Sequence, residues 1–211
     1  MNEQLAMLIG FLLSDGSVYF DKSKRTYCIQ FTNKNNEMLE KFKFLASHCF
    51  GAQNFHINIC KNARSVRFFS KIIAEQLFSY SPSFRTLRFL DGAYPKVNIP
   101  LEIFANKNLA AAFLQAYASC DGCIYSNKSH KAVVEIACVH PELRQRLFEL
   151  LKTLDIESLV TPKGIKICRK SEVEKFASKI RFLRESTVVQ SSSANVGKAK
   201  NEILDSCLSY S

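Results

Sequence analysis

The chain has 211 residues and a formal charge of +10, a length that suits one large domain or two small ones. No apolar run reaches membrane-spanning length, and the N-terminus lacks the basic region, apolar stretch and cleavage site of a secretory signal. The expectation is an intracellular protein, of the cytoplasm or an organelle, with no membrane partner. Residues 1–100 carry thirteen basic and seven acidic side chains, and residues 101–211 carry sixteen and twelve. The excess is therefore not one basic tail, and nucleic acid is a natural partner.

Residues 3–14 read as a helix with Leu5, Leu8 and Leu12 on one stripe and Ile9 and Leu13 beside it. Its second half is apolar all round, so more than one face should be buried, and Gly10 would let another backbone approach closely. Gly16 is placed to stop the helix in the manner of a C-terminal glycine. Val18–Phe20 and Tyr27–Phe31 follow as strands around a polar turn, and residues 35–49 as a helix. His56–Cys60 and Ser65–Phe69 form a hairpin with Ile57, Ile59, Val66 and Phe68 inward, and residues 71–79 a third helix. One unit is thus αββαββα. Pro82, Asp91-Gly92, Pro95 and Pro100 make residues 81–108 an irregular connection, in which Arg85, Arg88 and Lys96 could touch a polyanion.

The order then repeats. Residues 109–120 are a helix, Cys123–Ser126 and Lys131–Cys138 strands, and 141–154 a helix opened by Pro141. Ile156–Leu159 and Ile165–Cys168 are strands around Pro162–Gly164, and 173–182 is a helix. The fold class is α+β, with duplicated αββαββα units. The first spans 1–80, the connection 81–108 and the second 109–185. A C-terminal extension, 186–211, ends in a short helix over 200–207 to which the sequence assigns no purpose.

Eight cysteines lie mostly among apolar residues, as small buried thiols do. Cys120 and Cys123 have zinc-like spacing, but there is no second Cys-x-x-Cys, and His130 and His140 do not complete a familiar four-ligand pattern. Seventeen phenylalanines and seven tyrosines point to an aromatic core instead.

Each unit opens with an apolar helix ending in Asp-Gly: Leu8-Ile9-Gly10-Phe11-Leu12-Leu13-Ser14-Asp15-Gly16, and Leu114-Gln115-Ala116-Tyr117-Ala118-Ser119-Cys120-Asp121-Gly122. An isolated Asp-Gly is usually a turn. Two of them, one per half and each leading into a hairpin, would place both carboxylates at one end of a helix pair. Such carboxylates repel and are costly to desolvate unless a cation lies between them. Oxygen ligands of this kind suit magnesium, and metal-assisted phosphodiester hydrolysis is the chemistry they fit.

The two stretches resemble the paired motifs of the LAGLIDADG homing endonucleases, and the resemblance covers roughly residues 3–185. It implies a pseudo-twofold saddle in which the motif helices form the interface and two antiparallel sheets lie over the DNA major groove. It also implies a monomer acting as a pseudo-dimer that cuts both strands of a long, asymmetric double-stranded target and leaves four-base 3′ overhangs. Mg2+ is the implied cofactor, with Mn2+ able to substitute and Ca2+ supporting binding without efficient cleavage. The implied metal ligands are Asp15 and Asp121, with the backbone carbonyls of Ser14 and Cys120. Asn33 and Lys34, after the second strand, match a polar residue and lysine kept by single-chain members. Asn33 could position water and Lys34 could stabilise charge at the transferred phosphate. The second half departs from the pattern, since Val139 stands where a lysine is expected. Lys128 or Lys131 could reach the site instead, or the two strands are cut unequally. Ala116 also replaces an interface glycine.

For DNA contact the outward strand positions are Thr26, Cys28, Gln30, Asn58, Ser65 and Arg67 in one half, and Lys131, Val133, Glu135, Lys166 and Cys168 in the other. Lys22, Lys24, Arg25, Lys61 and Arg64 extend the set at turns. Two other functions fit the same sequence: an intron-RNA maturase, with intron RNA as partner, and a DNA-binding regulator without catalysis. Intact Asp15 and Asp121 favour cleavage over the latter.

Overall fold

The computed structural model describes residues 1–60, 62–126, 132–188 and 195–209, with the backbone only at Cys60. The first unit comprises α1 (Glu3–Ser14), β1 (Gly16–Asp21), β2 (Thr26–Asn33), α2 (Asn36–Phe50), β3 (His56–Cys60), β4 (Ala63–Phe69) and α3 (Lys71–Tyr80). A short α4 (Leu101–Ala105) precedes α5 (Lys107–Asp121), β5 (Gly122–Tyr125), β6 (Val133–Ala137), α6 (Pro141–Thr153), β7 (Leu159–Thr161), β8 (Gly164–Ile167) and α7 (Lys170–Lys179). The chain then adds α8 (Lys200–Ser209). The sheets are antiparallel and share one topology, β1-β2-β4-β3 and β5-β6-β8-β7. Two pseudo-symmetric αββαββα units, each with a four-stranded sheet, form a saddle of the LAGLIDADG kind.

The halves meet along α1 and α5. Ala6, Leu8 through Leu13, Ala110, Phe113, Leu114, Ala116 and Ala118 are all buried. A Cβ on Gly10 would lie 2.6 Å from the Phe113 carbonyl oxygen and 3.1 Å from the Ala116 Cβ. The close approach therefore requires glycine on α1, and it leaves room for only a methyl on α5. Ala116 is that methyl, so one interface glycine suffices. Beside this seam Phe11 meets Phe31 edge-on with centroids 5.0 Å apart, and Phe31 stacks on Phe42 at 5.0 Å.

The Asp-Gly glycines act differently from the expected left-handed cap. Neither Gly16 nor Gly122 has a positive φ. A Cβ there would sit 2.5 Å from Leu12 Cα or 2.3 Å from the Ala118 carbonyl oxygen. Glycine is needed because the strand leaves the helix end folded tightly against the preceding turn.

Several boundaries differ from expectation for identifiable reasons. Ile57 and Ile59 are 56% and 79% exposed rather than inward. β3 is an edge strand, and α2 packs over β2 and β4 and α3 over β1 and β2 instead. β7 begins at Leu159 because Ile156 closes α6: Ile156 N donates to Leu151 O and Asp155 N to Lys152 O, with Asp155 at φ +59. α7 ends before Phe182 because Arg181 turns left-handed at φ +58. Phe182 then folds back onto Phe176, 5.2 Å away. α4 went unread because Pro100 looks like a breaker, yet it serves as the N-cap of this one-turn helix.

Gly10→Ala should destabilise the fold by about 1–3 kcal/mol, the usual range for forcing atoms into a packed core. Ala116→Gly should cost roughly 1 kcal/mol through helix propensity. Urea unfolding of the two variants checks the order, and a Gly10→Ala chain as stable as the parent would refute the close-approach argument.

Candidate active site

Asp15 caps the C-terminus of α1 and Asp121 is the last residue of α5. The Cys120 side chain of α5 lies beside Asp15 and Ser14 of α1, across the interface. Asp15 is thus in touch with the second half, and its charge acts on Asp121 across the interface. Burial raises the Asp15 pKa, opposed by a hydrogen bond from Asn33, the charge of Lys200 and the Cys120 contact. Burial and then repulsion from Asp15 push Asp121 to about 8, opposed by Lys200 and by Tyr117. Two helix C-termini, each equivalent to roughly half a negative charge, end at the same place.

The strand registers identify corresponding residues. Gly16 pairs with Phe31 and Gly122 with Ile136, so Asn33 corresponds to Cys138 and Lys34 to Val139. Asn33 Nδ2 donates to Asp15 Oδ2 at 2.8 Å, and Asn33 Oδ1 accepts from Asn35 N at 2.9 Å. Both ends of this amide are thus engaged in fixing the carboxylate. Lys34 is exposed on the same cleft of about 310 Å³, which Asp15, Cys120, Ser186, Thr187 and Lys200 also line. In the second half, Tyr117 bonds with both Asp121 and Cys138. Asp121, Tyr117, Cys138 and the exposed Val139 line a second cleft of about 680 Å³. Arg85 also borders it, but its guanidinium donates to the Leu87 and Arg88 carbonyls at 3.1 and 2.8 Å.

The largest omission from the sequence reading is Lys200. Its Nζ donates to Ser119 O at 2.7 Å, and the side chain is buried. Burial lowers its pKa, while Cys120, Cys123, Asp121 and Asp15 act to raise it. One signal was present in the sequence: lysine is unfavourable at a helix N-terminus, yet Lys200 opens α8. Neither Lys128 nor Lys131, proposed to replace the missing lysine, lies within the described residues, and Lys61 does not either.

Among the described residues, which do not include His130, no three His, Cys, Asp or Glu side chains gather as metal ligands. His140 is instead the N-cap of α6. Its Nδ1 accepts from Leu143 N at 3.2 Å and its Nε2 lies 2.7 Å from Pro95 O. The acid pair nonetheless fits a hard divalent cation. It offers two carboxylates whose ionisation the surroundings oppose, and helix-end carbonyls near Ser14 and Cys120 that lack intrahelical donors.

The sheet positions separate into accessible and covered ones. Lys22, Lys24 and Arg25 are exposed at the β1–β2 turn, with Lys24 Nζ 4.2 Å from the centre of the Phe69 ring. Thr26, Gln30, Asn58 and Arg67 are half-buried. Gln30 Nε2 donates to Thr32 Oγ1 at 3.2 Å. With the Asn58 amide turned so that its oxygen faces Arg67, that oxygen accepts from Nε at 2.9 Å. Cys28, Ser65 and Val133 are buried, contrary to their expected outward exposure. Strand alternation sets the face but not what covers it, and the Tyr19 side chain bonds to Cys28 from the neighbouring strand. Arg64 alternates to the helix side of β4, where its Nη1 donates to Asn36 Oδ1 at 3.1 Å. In the second sheet Glu135 is engaged by Lys166 at 3.4 Å and by the Tyr125 hydroxyl at 2.8 Å, while Cys168 is half-buried.

The raised Asp121 pKa has a consequence for stability. Between the unfolded value near 4 and about 8 the native state binds the extra proton, so stability falls as pH rises across that window. In EDTA, Asp121→Asn should melt above the parent at pH 8, with the gap closing toward pH 4. About 1 kcal/mol of relief would appear as roughly 2–4 °C. Calorimetry at the two pH values decides it, and a pH-independent difference would count against the burial argument.

The profile of the LAGLIDADG-like domain family matches residues 2–72 and again 108–181. No curated protein matches the chain in sequence. Among solved structures, the chain is similar to I-DmoI in complex with DNA and manganese, at 15% identity and TM-score 0.61, over 85% of this chain and 96% of that one. The I-DmoI complex with DNA and calcium matches at 14% identity and TM-score 0.60, over 84% and 88%. I-DmoI is a homing endonuclease. Full-length DUF199/WhiA from Thermatoga maritima matches at 15% identity and TM-score 0.59, over 98% of this chain and 60% of that one. These identities speak for the fold alone. With its profile matched twice, over most of the sequence, the chain belongs to the LAGLIDADG-like domain family.

Proposed function

We propose that the protein is a divalent-metal-dependent endonuclease that cuts both strands of a long, asymmetric duplex DNA site. The observation that carries the proposal is the meeting of Asp15 and Asp121 at the joined C-termini of α1 and α5, where burial resists the ionisation of both and the charge of Asp15 further opposes that of Asp121. Similarity to a homing endonuclease solved with DNA, manganese and calcium supports it. Mg2+ is the proposed cofactor, with Mn2+ an active substitute and Ca2+ permitting binding. Such an ion supplies charge stabilisation and a more acidic water.

The chain's own residues then divide the remaining work. Asp15 and Asp121, with the Ser14 and Cys120 carbonyls, hold the ion. Asn33 orients the Asp15 carboxylate through its 2.8 Å hydrogen bond. Lys34 faces the open cleft, where its ammonium can neutralise a phosphate oxygen. Lys22, Lys24, Arg25, Gln30, Asn58, Arg67 and Lys166 form the DNA-facing set. Phosphate contacts come from the turn lysines, and base contacts from Gln30 and Arg67, whose side chains suit paired hydrogen bonds. A 3′ overhang of four bases follows the family resemblance. A second reading, DNA binding without cleavage, is favoured by one observation: an ammonium, that of Lys200, already sits beside the acids.

Asp15→Asn or Asp121→Asn should reduce double-strand cleavage in Mg2+ on the order of 10²–10³-fold, the effect of losing several kcal/mol of metal support. Binding in Ca2+ and the circular dichroism spectrum should be retained. A folded, DNA-binding variant that cuts both strands at the parent rate would remove that aspartate from the metal site. A target found by selection from a random duplex library supplies the substrate. A parent chain that binds its selected target but never cuts it would favour the binding-only reading.

The two sheets differ at nearly every outward position, so one chain should occupy one target. Sedimentation with the selected duplex should give a one-to-one complex, and two chains per duplex would contradict the pseudo-dimer.

A further inference from the structure

The proposed chemistry leaves one buried group of the centre unused. Lys200 is only 5% exposed, and a charge in such a place persists only when it is paired and hydrogen-bonded. A strap built for the purpose carries it. Asn35 of the first half donates to the Glu185 carbonyl. Ser119 of the second half accepts from Leu183 N at 2.7 Å through its hydroxyl, and its carbonyl accepts from Ser186 Oγ at 2.8 Å. Thr187 pairs with Ala199, and Lys200 N donates to Ser186 O at 2.9 Å. Asn201 exchanges two hydrogen bonds with the Phe182 backbone, and Arg181 pairs with Asp205. The side chain thus enters from one direction only. Its Nζ lies 2.7 Å from Ser119 O, at the negative end of α5, where its charge acts on both carboxylates.

We propose that Lys200 is a tethered cation of the Asp15–Asp121 pair, neutralising charge that a divalent cation would otherwise neutralise, so that the DNA-free protein holds divalent cations weakly. Once ion binding has displaced the proton that Asp121 holds, two carboxylates and one ammonium leave a single net negative charge. One divalent cation then makes the centre positive, and a phosphodiester brings it to neutrality. Without the ammonium, the same cation alone would neutralise the acids, and an arriving phosphate would meet no residual positive charge. Lys200 therefore trades affinity for the free ion against affinity for the ion together with phosphate.

The test needs no DNA and so stands apart from the nuclease reading. Mn2+ is titrated into the parent chain, Lys200→Gln, Lys200→Met and the double variant Lys200→Gln/Asp121→Asn, with free Mn2+ read by electron paramagnetic resonance and folding by circular dichroism. Glutamine retains a donor for Ser119 O without the charge. The expected result is Mn2+ binding at least tenfold tighter in both single variants than in the parent, with the gain lost in the double variant. Folded Lys200→Gln that binds no tighter than the parent overturns the proposal. So does a parent chain that already takes two Mn2+ at submillimolar concentration, a result that decides the matter even if neither substituted chain folds. A parent that never cuts DNA while its variants gain Mn2+ affinity would overturn the nuclease reading and leave Lys200 as the tethered cation.

Discussion

The contact between Gly10 and the Phe113 carbonyl is the constraint on which the molecule depends. It sets how near α1 and α5 lie, and that nearness brings two helix C-termini to one point. Any side chain at Gly10 would push the helices apart and separate the carboxylates that follow them. The same contact explains why the helices are apolar on every face: each packs against its partner and against its own sheet, and little of either meets water. Packing and chemistry are therefore coupled at one residue. Burial at that point raises both pKa values, and the charge of Asp15 raises that of Asp121 further; a cation placed there would relieve the penalty.

Duplication gives the two halves the same strand order and register, but it does not make the centre symmetric. Asn33 fixes Asp15, whereas Asp121 is approached by Tyr117 from its own helix. Lys34 faces one cleft and Val139 the other. The C-terminal strap closes over the Lys34 side, while the connecting segment, through Arg85, Thr86 and Leu87, borders the Val139 side. Only the acids are preserved in both halves. Electrostatic work in the centre is thus concentrated on one flank, where Lys34 and Lys200 line the same cleft. The opposite flank relies on burial and on the hydroxyl of Tyr117.

What the sequence made legible was what periodicity and repetition encode. The two apolar helices, the hairpins after them and the pairing of Asp15 with Asp121 were readable because each feature occurs twice at the same offset. Local chemistry that one residue performs alone was not. Ile156 reads as a strand residue, and its service as the apolar closure of α6 depends on a left-handed Asp155 that composition does not announce. Cys28 follows strand alternation faithfully, but Tyr19 on the neighbouring strand lies against it. Ile57 and Ile59 fail in the opposite sense, since alternation cannot reveal that a strand lies at the edge. Lys200 was the hardest of all. It lies 79 residues beyond Asp121 in sequence, and it reaches the centre only because Ser119 and Asn35, each unremarkable in its own helix, anchor the strap.

The outer surface carries the same inequality outward. On the first sheet Lys22, Lys24 and Arg25 project from a turn, and the Asp21 carboxylate spends its acceptor capacity on Ser23 and Lys24 backbone amides. Those cations remain available to phosphate. On the second sheet Lys166 and Tyr125 both engage Glu135, at the register position where the first sheet sets Arg67 opposite Gln30. A phosphate approaching there meets a partly neutralised pair, and a base donor must compete with a tyrosine for the carboxylate. Under the proposed function, such an unequal surface suits a duplex whose two half-sites differ. If the protein cuts DNA as proposed, the acids at the seam meet the phosphates with the cations of the centre, Lys34 and Lys200, gathered on one side.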